Sequence, residues 1–272
     1  MLAQYLIWVK VFKPHHADTW VFPVAPSLLF DRTAMRIFIN LAVPGVASMA
    51  EWFFFEFFVF LSGEISAAAL AANSICYNLI PICFTIPSGL SIGICARVGA
   101  LLAQGRVKSA RSLSDRILIV ACVLGVAVAI IVGGFRDLII SGFSSDEEVN
   151  ALARKIWPLL CFFLFLDSVF GGQSGVLRAL AMQFYFSVMV FVCLFIIGLP
   201  GIAALAFSWG ANLGLTGLWW GMPFAYVLLN LVMFVAHRRK DWQAYSAYIV
   251  DREAKVRARD LALQQIMVQE GA

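Results

Sequence analysis

Charge is scarce in this sequence. Asp, Glu, Lys and Arg make up 13% of its 272 residues, where an ordinary soluble domain carries about 25%. Hydrophobic residues fill 62% of the chain, and its mean hydropathy is +0.88. A water-soluble core of that size would lack the polar surface to cover it, so the solvent for most of the chain is lipid. Histidine is also rare: His15, His16 and His237 all fall outside the long apolar runs. Chemistry that needs a histidine base at bilayer depth is therefore excluded. The six cysteines (Cys76, Cys83, Cys95, Cys122, Cys161 and Cys193) lie in apolar stretches without a CxxC pair. They read as small apolar residues, which argues against a disulfide framework or a metal site, and no cofactor is expected. No basic patch with interleaved aromatics is present, so nucleic acid is not an expected partner.

What the sequence has is long apolar runs. Six are long enough to cross a bilayer, at 37–61, 66–94, 117–135, 157–177, 184–207 and 214–236. Pro81 and Pro87 fall in the second and predict a bent helix. The expected fold class is all-α: a polytopic membrane bundle of six transmembrane helices over 37–240. Residues 1–10 lack the basic start and cleavage site of a signal peptide. They are also too short for a crossing, which takes about 20 residues, and read as the end of a truncated transmembrane helix. Residues 11–36 are expected to form a cytoplasmic linker, and 241–272 a cytoplasmic tail that is helical over 243–270. The 136–156 segment is expected to be a loop.

The connections set the orientation. Lys10, Lys13, Arg32 and Arg36 precede the first span, Arg97, Arg106, Lys108, Arg111 and Arg116 follow the second, and Arg238, Arg239 and Lys240 follow the sixth. The opposite turns, 62–65 and 208–213, carry no Lys or Arg. The positive-inside rule then places both chain ends in the cytoplasm, and an even number of spans agrees.

Against this background a few acids inside the spans stand out, each costing about 2.5–3.5 kcal/mol at a helix centre on insertion scales. Glu51 and Glu56 lie in the first span and Asp167 in the fourth, none with a cation in its own span. Such groups can take up and release a proton. At about 1.5 Å of rise per residue, Glu51 and Asp167 come to similar depth on separate helices. That makes them the pair expected to face a common cavity. Glu56 lies five residues on from Glu51 and so points about 140° away, which makes it the weaker candidate. Trp52 and Asn78 are candidate cavity residues, Asn78 also serving equally well as packing glue. Gly89/Gly93, Gly171/Gly175, Gly210/Gly214 and Gly217/Gly221 have the small-xxx-small spacing of close helix contacts. Gly172-Gln173-Ser174-Gly175 matches the GxSG of intramembrane serine proteases, but no base is available, so Ser174 reads as structural and no enzyme is expected.

The acids sit in recognisable segments. Glu51-Trp52-Phe53-Phe54-Phe55-Glu56 followed by Leu61-Ser62-Gly63 resembles the EWWxxE…LSG of the seventh helix in eukaryotic multidrug and toxic compound extrusion (MATE) transporters. Arg97-Val98-Gly99 with Ala103-Gln104-Gly105 is similar to the family's RVGNxLGAG loop. Ser174-Gly175-Val176-Leu177-Arg178 with Gln183 looks like its SGVLRGxGxQ loop. Ile197-Gly198-Leu199-Pro200 and Gly214-Leu215-Thr216-Gly217-Leu218-Trp219 resemble its VGLP and GLxGLW. The resemblance implies the second half of a twelve-helix transporter, with an N-terminal lobe as its partner. It also implies proton-coupled expulsion of organic cations or other amphipathic small molecules through a plasma or vesicular membrane. Glu51 and Asp167 match the acids of the family's seventh and tenth helices. Asn78 stands where some relatives carry a glutamate, and Ala179 and Ala181 replace loop glycines.

Overall fold

The computed structural model describes residues 50–251 together with 35, 36, 39, 43 and 254. The chain divides into two compact units, Met1–Pro44 and Gly45–Ala272. In the first, only Met35, Arg36, Ile39 and Val43 are described, each helical. The expected helix stub at 1–10 and all but the end of the expected linker lie outside the described residues.

The second unit is a helix bundle, with no strand among the described residues. Its helices are α1 (Ala50–Ile65), α2 (Ala67–Ala103), α3 (Val107–Gly134), α4 (Arg136–Phe143), α5 (Glu147–Ala179), α6 (Gln183–Ala206) and α7 (Gly214–Arg239). A further helix, α8, starts at 242 and is described to 251. Five of them (α2, α3, α5, α6 and α7) are long and apolar enough to cross a membrane, and the chain is an integral membrane protein. They cover five of the six expected spans and mostly run past them, because hydropathy marks only the stretch that hydrocarbon would surround. The sixth expected span, 37–61, is described mainly through the 16 residues of α1.

The 136–156 segment is a correction to the sequence reading. It contains α4 and the first turns of α5, not a plain loop. Asp146 caps α5 by accepting from the amides of Glu148 and Val149 at 2.9 and 3.4 Å, a pairing that satisfies the orphan donors of a helix start. Asp137 bridges Arg136 at 2.9 Å and Arg154 at 3.1 Å. These two guanidiniums, Arg136 foremost, hold the Asp137 carboxyl below the usual carboxylate range. Local charges thus fold a segment whose hydropathy is uninformative.

Two helices form the interior. More than half of the apolar stretch of α5 and of α7 is buried, against less than a third in α2, α3 and α6. The outer three show lipid their large side chains, among them Ile82, Ile92, Ile119, Val123, Ile130 and Ile196. Contact with α5 is close because α5 offers glycine there. A Cβ on Gly175 would lie 2.5 Å from Ser91 O of α2, and one on Gly171 2.8 Å from Pro87 Cβ. On α7, a Cβ on Gly217 would meet Leu205 O at 2.5 Å, and one on Gly221 would meet Ile202 Cγ1 at 2.5 Å. Gly89 and Gly93 share the spacing but meet nothing within 4 Å, so the α2–α5 contact is built from the α5 side alone. In α6, Phe191–Gly198 is a π-helix, with the Leu199 amide donating to Leu194 O. The wider turn runs into Pro200, which has no N–H for the ordinary ladder.

Helix α8 is docked. The Trp242 indole is buried and donates to His237 O at 3.0 Å, and Ser246 Oγ donates to Leu102 O at 2.7 Å. The remainder of the expected 243–270 helix lies outside the described residues, save Ala254, which is helical.

Two stability outcomes follow from this packing. Gly175→Ala lowers the thermal midpoint in detergent, at a cost of about 1–3 kcal/mol for overpacking, while Gly89→Ala leaves it nearly unchanged. Ala181 has φ +50°, a left-handed conformation that costs an L-residue about 1–2 kcal/mol. Ala181→Gly therefore raises the midpoint, by an amount reduced by glycine's greater freedom in the unfolded chain.

Candidate functional site

Helix periodicity decides which acid turns inward. The buried residues of α1 are Glu51, Phe54, Phe55, Phe58 and Ser62, a single stripe at 3.6-residue spacing. Glu51 heads that stripe and is buried. Glu56 is off it, exposed, and accepts from Tyr77 Oη at 3.1 Å. Trp52 and Phe53 are also exposed, whereas Phe55 is buried.

Glu51 meets α7. Tyr226 Oη donates to Glu51 Oε1 at 2.5 Å, and Tyr226 is fully enclosed. Three phenylalanines wall its ring, with centroids at 4.8 Å (Phe163), 5.7 Å (Phe170) and 6.4 Å (Phe55). One turn along α7, Asn230 Nδ2 donates to Tyr226 O at 2.9 Å and to Leu166 O of α5 at 3.2 Å. Asn230 Oδ1 accepts from Gln173 Nε2 at 2.8 Å. Asn230 thus grips the α5 turn that carries Asp167.

Asp167 is 3% exposed. It lies within electrostatic range of Glu51, and both carboxyls are within range of Tyr226. Among the described residues, no group of three His, Cys, Asp or Glu side chains could hold a metal ion.

The remaining candidates fall elsewhere. Asn78 is exposed on α2, where its Nδ2 donates to Ser74 O at 2.8 Å. With Ser74, Thr85 and Ser88 it forms a polar stripe, half-buried or exposed, down one face of α2. The buried asparagine of α2 is Asn73, whose Oδ1 accepts from Trp219 Nε1 at 3.1 Å. Ser174 is occupied structurally. It lies 3.0 Å from Ser91 Oγ, and Arg178 Nη2 donates to Ser91 Oγ at 2.7 Å and Ser174 Oγ at 3.0 Å.

Tyr226, Asn230, Gln173 and Asn73 were not among the sequence candidates. Asn230, inside Leu228-Leu229-Asn230-Leu231-Val232, carries the kind of signal that exposed Asp167: a polar group set in an apolar run. Neutral groups give that signal more weakly, and their partners are fixed only by packing.

The sequence pattern that defines the MatE family matches residues 45–203. The chain is similar to multidrug and toxin extrusion protein 1 of Oryctolagus cuniculus, 32% identical over 206 residues that cover 75% of this chain and 36% of that protein. It is also 32% identical to multidrug and toxin extrusion protein 2 of Homo sapiens, over 88% of this chain and 39% of that protein. Among solved structures, the eukaryotic MATE transporter AtDTX14 superposes with a TM-score of 0.75 at 25% identity, over 84% of this chain and 51% of that one. A MOP superfamily transporter from Pyrococcus furiosus shares the fold, with a TM-score of 0.65 at 15% identity. The chain therefore spans about half, or less, of the length of the relatives it matches.

The hydrogen bond to Glu51 yields a direct test. Tyr226→Phe keeps the ring and removes the donor, leaving the buried acid without it at a cost of roughly 1–3 kcal/mol. A lowered thermal midpoint of the purified protein in detergent is the expected reading, and an unchanged one means the bond contributes nothing to folding.

Proposed function

Since the chain belongs to the MatE family, we propose that it forms one lobe of a proton-coupled antiporter that expels organic cations or other amphipathic small molecules. The observation that carries this reading is the enclosure of Glu51 and Asp167 together, on separate helices, with Tyr226 bonded to Glu51 and Asn230 to the α5 turn beside Asp167. Protonation of the pair from outside removes negative charge from the wall and weakens its hold on a cation. Release of the protons toward the cytoplasm restores that hold, and the lobe alternates between the two states as the pair changes charge. The polar stripe on α2 supplies a wettable surface beside the Glu56–Tyr77 pair, suited to line a path for an amphipathic substrate. Trp52, exposed on the same helix as Glu51, offers a ring face to a cation. The cationic segments around Arg106 and Arg238–Lys240 support an orientation with both chain ends in the cytoplasm.

The coverage of its relatives favours a second reading: a membrane protein that transports only beside a partner lobe, or not at all. Reconstituting the chain in proteoliposomes under an imposed pH gradient separates the two. Gradient-driven uptake of a fluorescent organic cation supports the antiporter, and its absence from liposomes holding correctly folded chain favours the second reading. Where uptake is seen, Glu51→Gln and Asp167→Asn are each expected to cut it by more than tenfold, and Glu56→Gln by less than half. Full gradient-driven exchange by either of the first two variants removes that residue from the coupling role.

A further inference from the structure

The two ends of the bundle treat their arginines differently. At the end where α3 stops and α5 starts, Arg136 and Arg154 are spent on Asp137 and Glu147, at 2.9 to 3.2 Å. At the opposite end, Arg238 pairs with Asp115 at 2.8 Å and Arg178 is bound to Ser91 and Ser174. Four further cations at that end have no such use. Arg97 near the close of α2, Arg106 and Lys108 at the turn, and Arg116 on α3 are all exposed. Among the described residues, none of their side chains has a counter-ion or a hydrogen-bond partner.

These four converge on one groove of about 460 Å³, whose walls also hold Ser109 and Ser112. The first turn of α3 opens into it. Arg106 is the residue before that helix, and its side chain caps nothing, so the early amides of a 28-residue helix add positive potential and free donors to the groove. A second cavity, of about 750 Å³, shares Arg106, Lys108 and Ser109 and is closed on its far side by α8, where Asp251 lines it. Asp115, the nearest acid on α3, is already paired with Arg238. The groove itself is therefore uniformly cationic.

Its position narrows the ligand. It lies where two membrane-crossing helices end, and a few turns into α3 the exposed residues become Ile119, Val120 and Val123. That is the level of lipid headgroups. Basic pockets at the cytoplasmic ends of membrane helices suit phosphate, whose oxygens accept from guanidinium, ammonium, hydroxyl and helix-terminal N–H donors at once. We propose that the Arg97–Arg106–Lys108–Arg116 groove binds a phosphate-bearing anion at the membrane surface, either the headgroup of an acidic phospholipid or a free phosphate. The site does not depend on the transport reading, and its test needs no transport.

The full chain is placed in nanodiscs of phosphatidylcholine alone, of phosphatidylcholine with phosphatidylglycerol, and of phosphatidylcholine with inorganic phosphate in the buffer at matched ionic strength. Thermal midpoints are measured in each, and lipids retained after extraction are counted by native mass spectrometry. Phosphatidylglycerol is expected to raise the midpoint and to be retained as a discrete adduct. Apparent affinity falls roughly fivefold for each cation removed, in Arg116→Gln alone and in the triple variant Arg97→Gln/Arg106→Gln/Lys108→Gln. Arg136→Gln/Arg154→Gln, at the paired end, keeps the full shift. A shift with inorganic phosphate as large as that with the lipid assigns the occupant as a free phosphate, and a shift with the lipid alone assigns it as a headgroup. The proposal is overturned if neither raises the midpoint of the parent chain. It is equally overturned if Arg116→Gln and a folded triple variant gain as much as the parent.

Discussion

A carboxyl enclosed by helices in an apolar solvent has to be met by donors from other helices, and the interior of this bundle is organised around meeting Glu51. The donor is the Tyr226 hydroxyl, so α7 must lie inside the bundle and not at its rim. That placement needs Gly217 and Gly221, where any Cβ would strike Leu205 or Ile202 of α6. Holding α5 alongside needs Gly171 and Gly175 against Pro87 and Ser91. Asn230 then ties α7 to the α5 turn beside Asp167. Each contact is weak or costly alone. Together they bring two acids from distant parts of the chain into each other's field while leaving the outer helices free to face lipid.

The acids were the most legible part of the site because charge inside an apolar run is rare and expensive. Helix phase alone separates Glu51 from Glu56, since five residues turn the helix by about 140°. The neutral members of the network, Tyr226, Asn230 and Gln173, were not legible. Their partners lie 57 to 175 residues away, and nothing local records such a pairing. Glycine spacing proved only half informative. It marked Gly171/Gly175 and Gly217/Gly221, but it also marked Gly89/Gly93, which face open space. Spacing puts two glycines on one face and does not say what that face meets. The eight-residue α4 escaped notice because charge pairing to the start of α5, and not hydropathy, holds it.

Arg178 shows how position separates cations of identical chemistry. It lies within electrostatic range of Glu51, yet its guanidinium is bound to Ser91 and Ser174, where it fastens α2 to α5 at their most intimate contact. The family motif around Ser174 and Arg178 is thus accounted for by helix fastening. The serine of a protease-like pattern here serves as an acceptor for a structural cation.

The polar stripe of α2 has a consequence for the lobe as a whole. Ser74, Asn78, Thr85 and Ser88 satisfy themselves partly on their own helix's carbonyls, but Asn78 still presents an open amide oxygen and α2 a hydrophilic flank. Acyl chains offer such a flank nothing. Beyond Ser88 the same face ends in exposed Ile92, so the wet strip covers only the stretch of α2 from Ser74 to Ser88: water or another protein suits that stretch, and lipid suits the rest of the exterior.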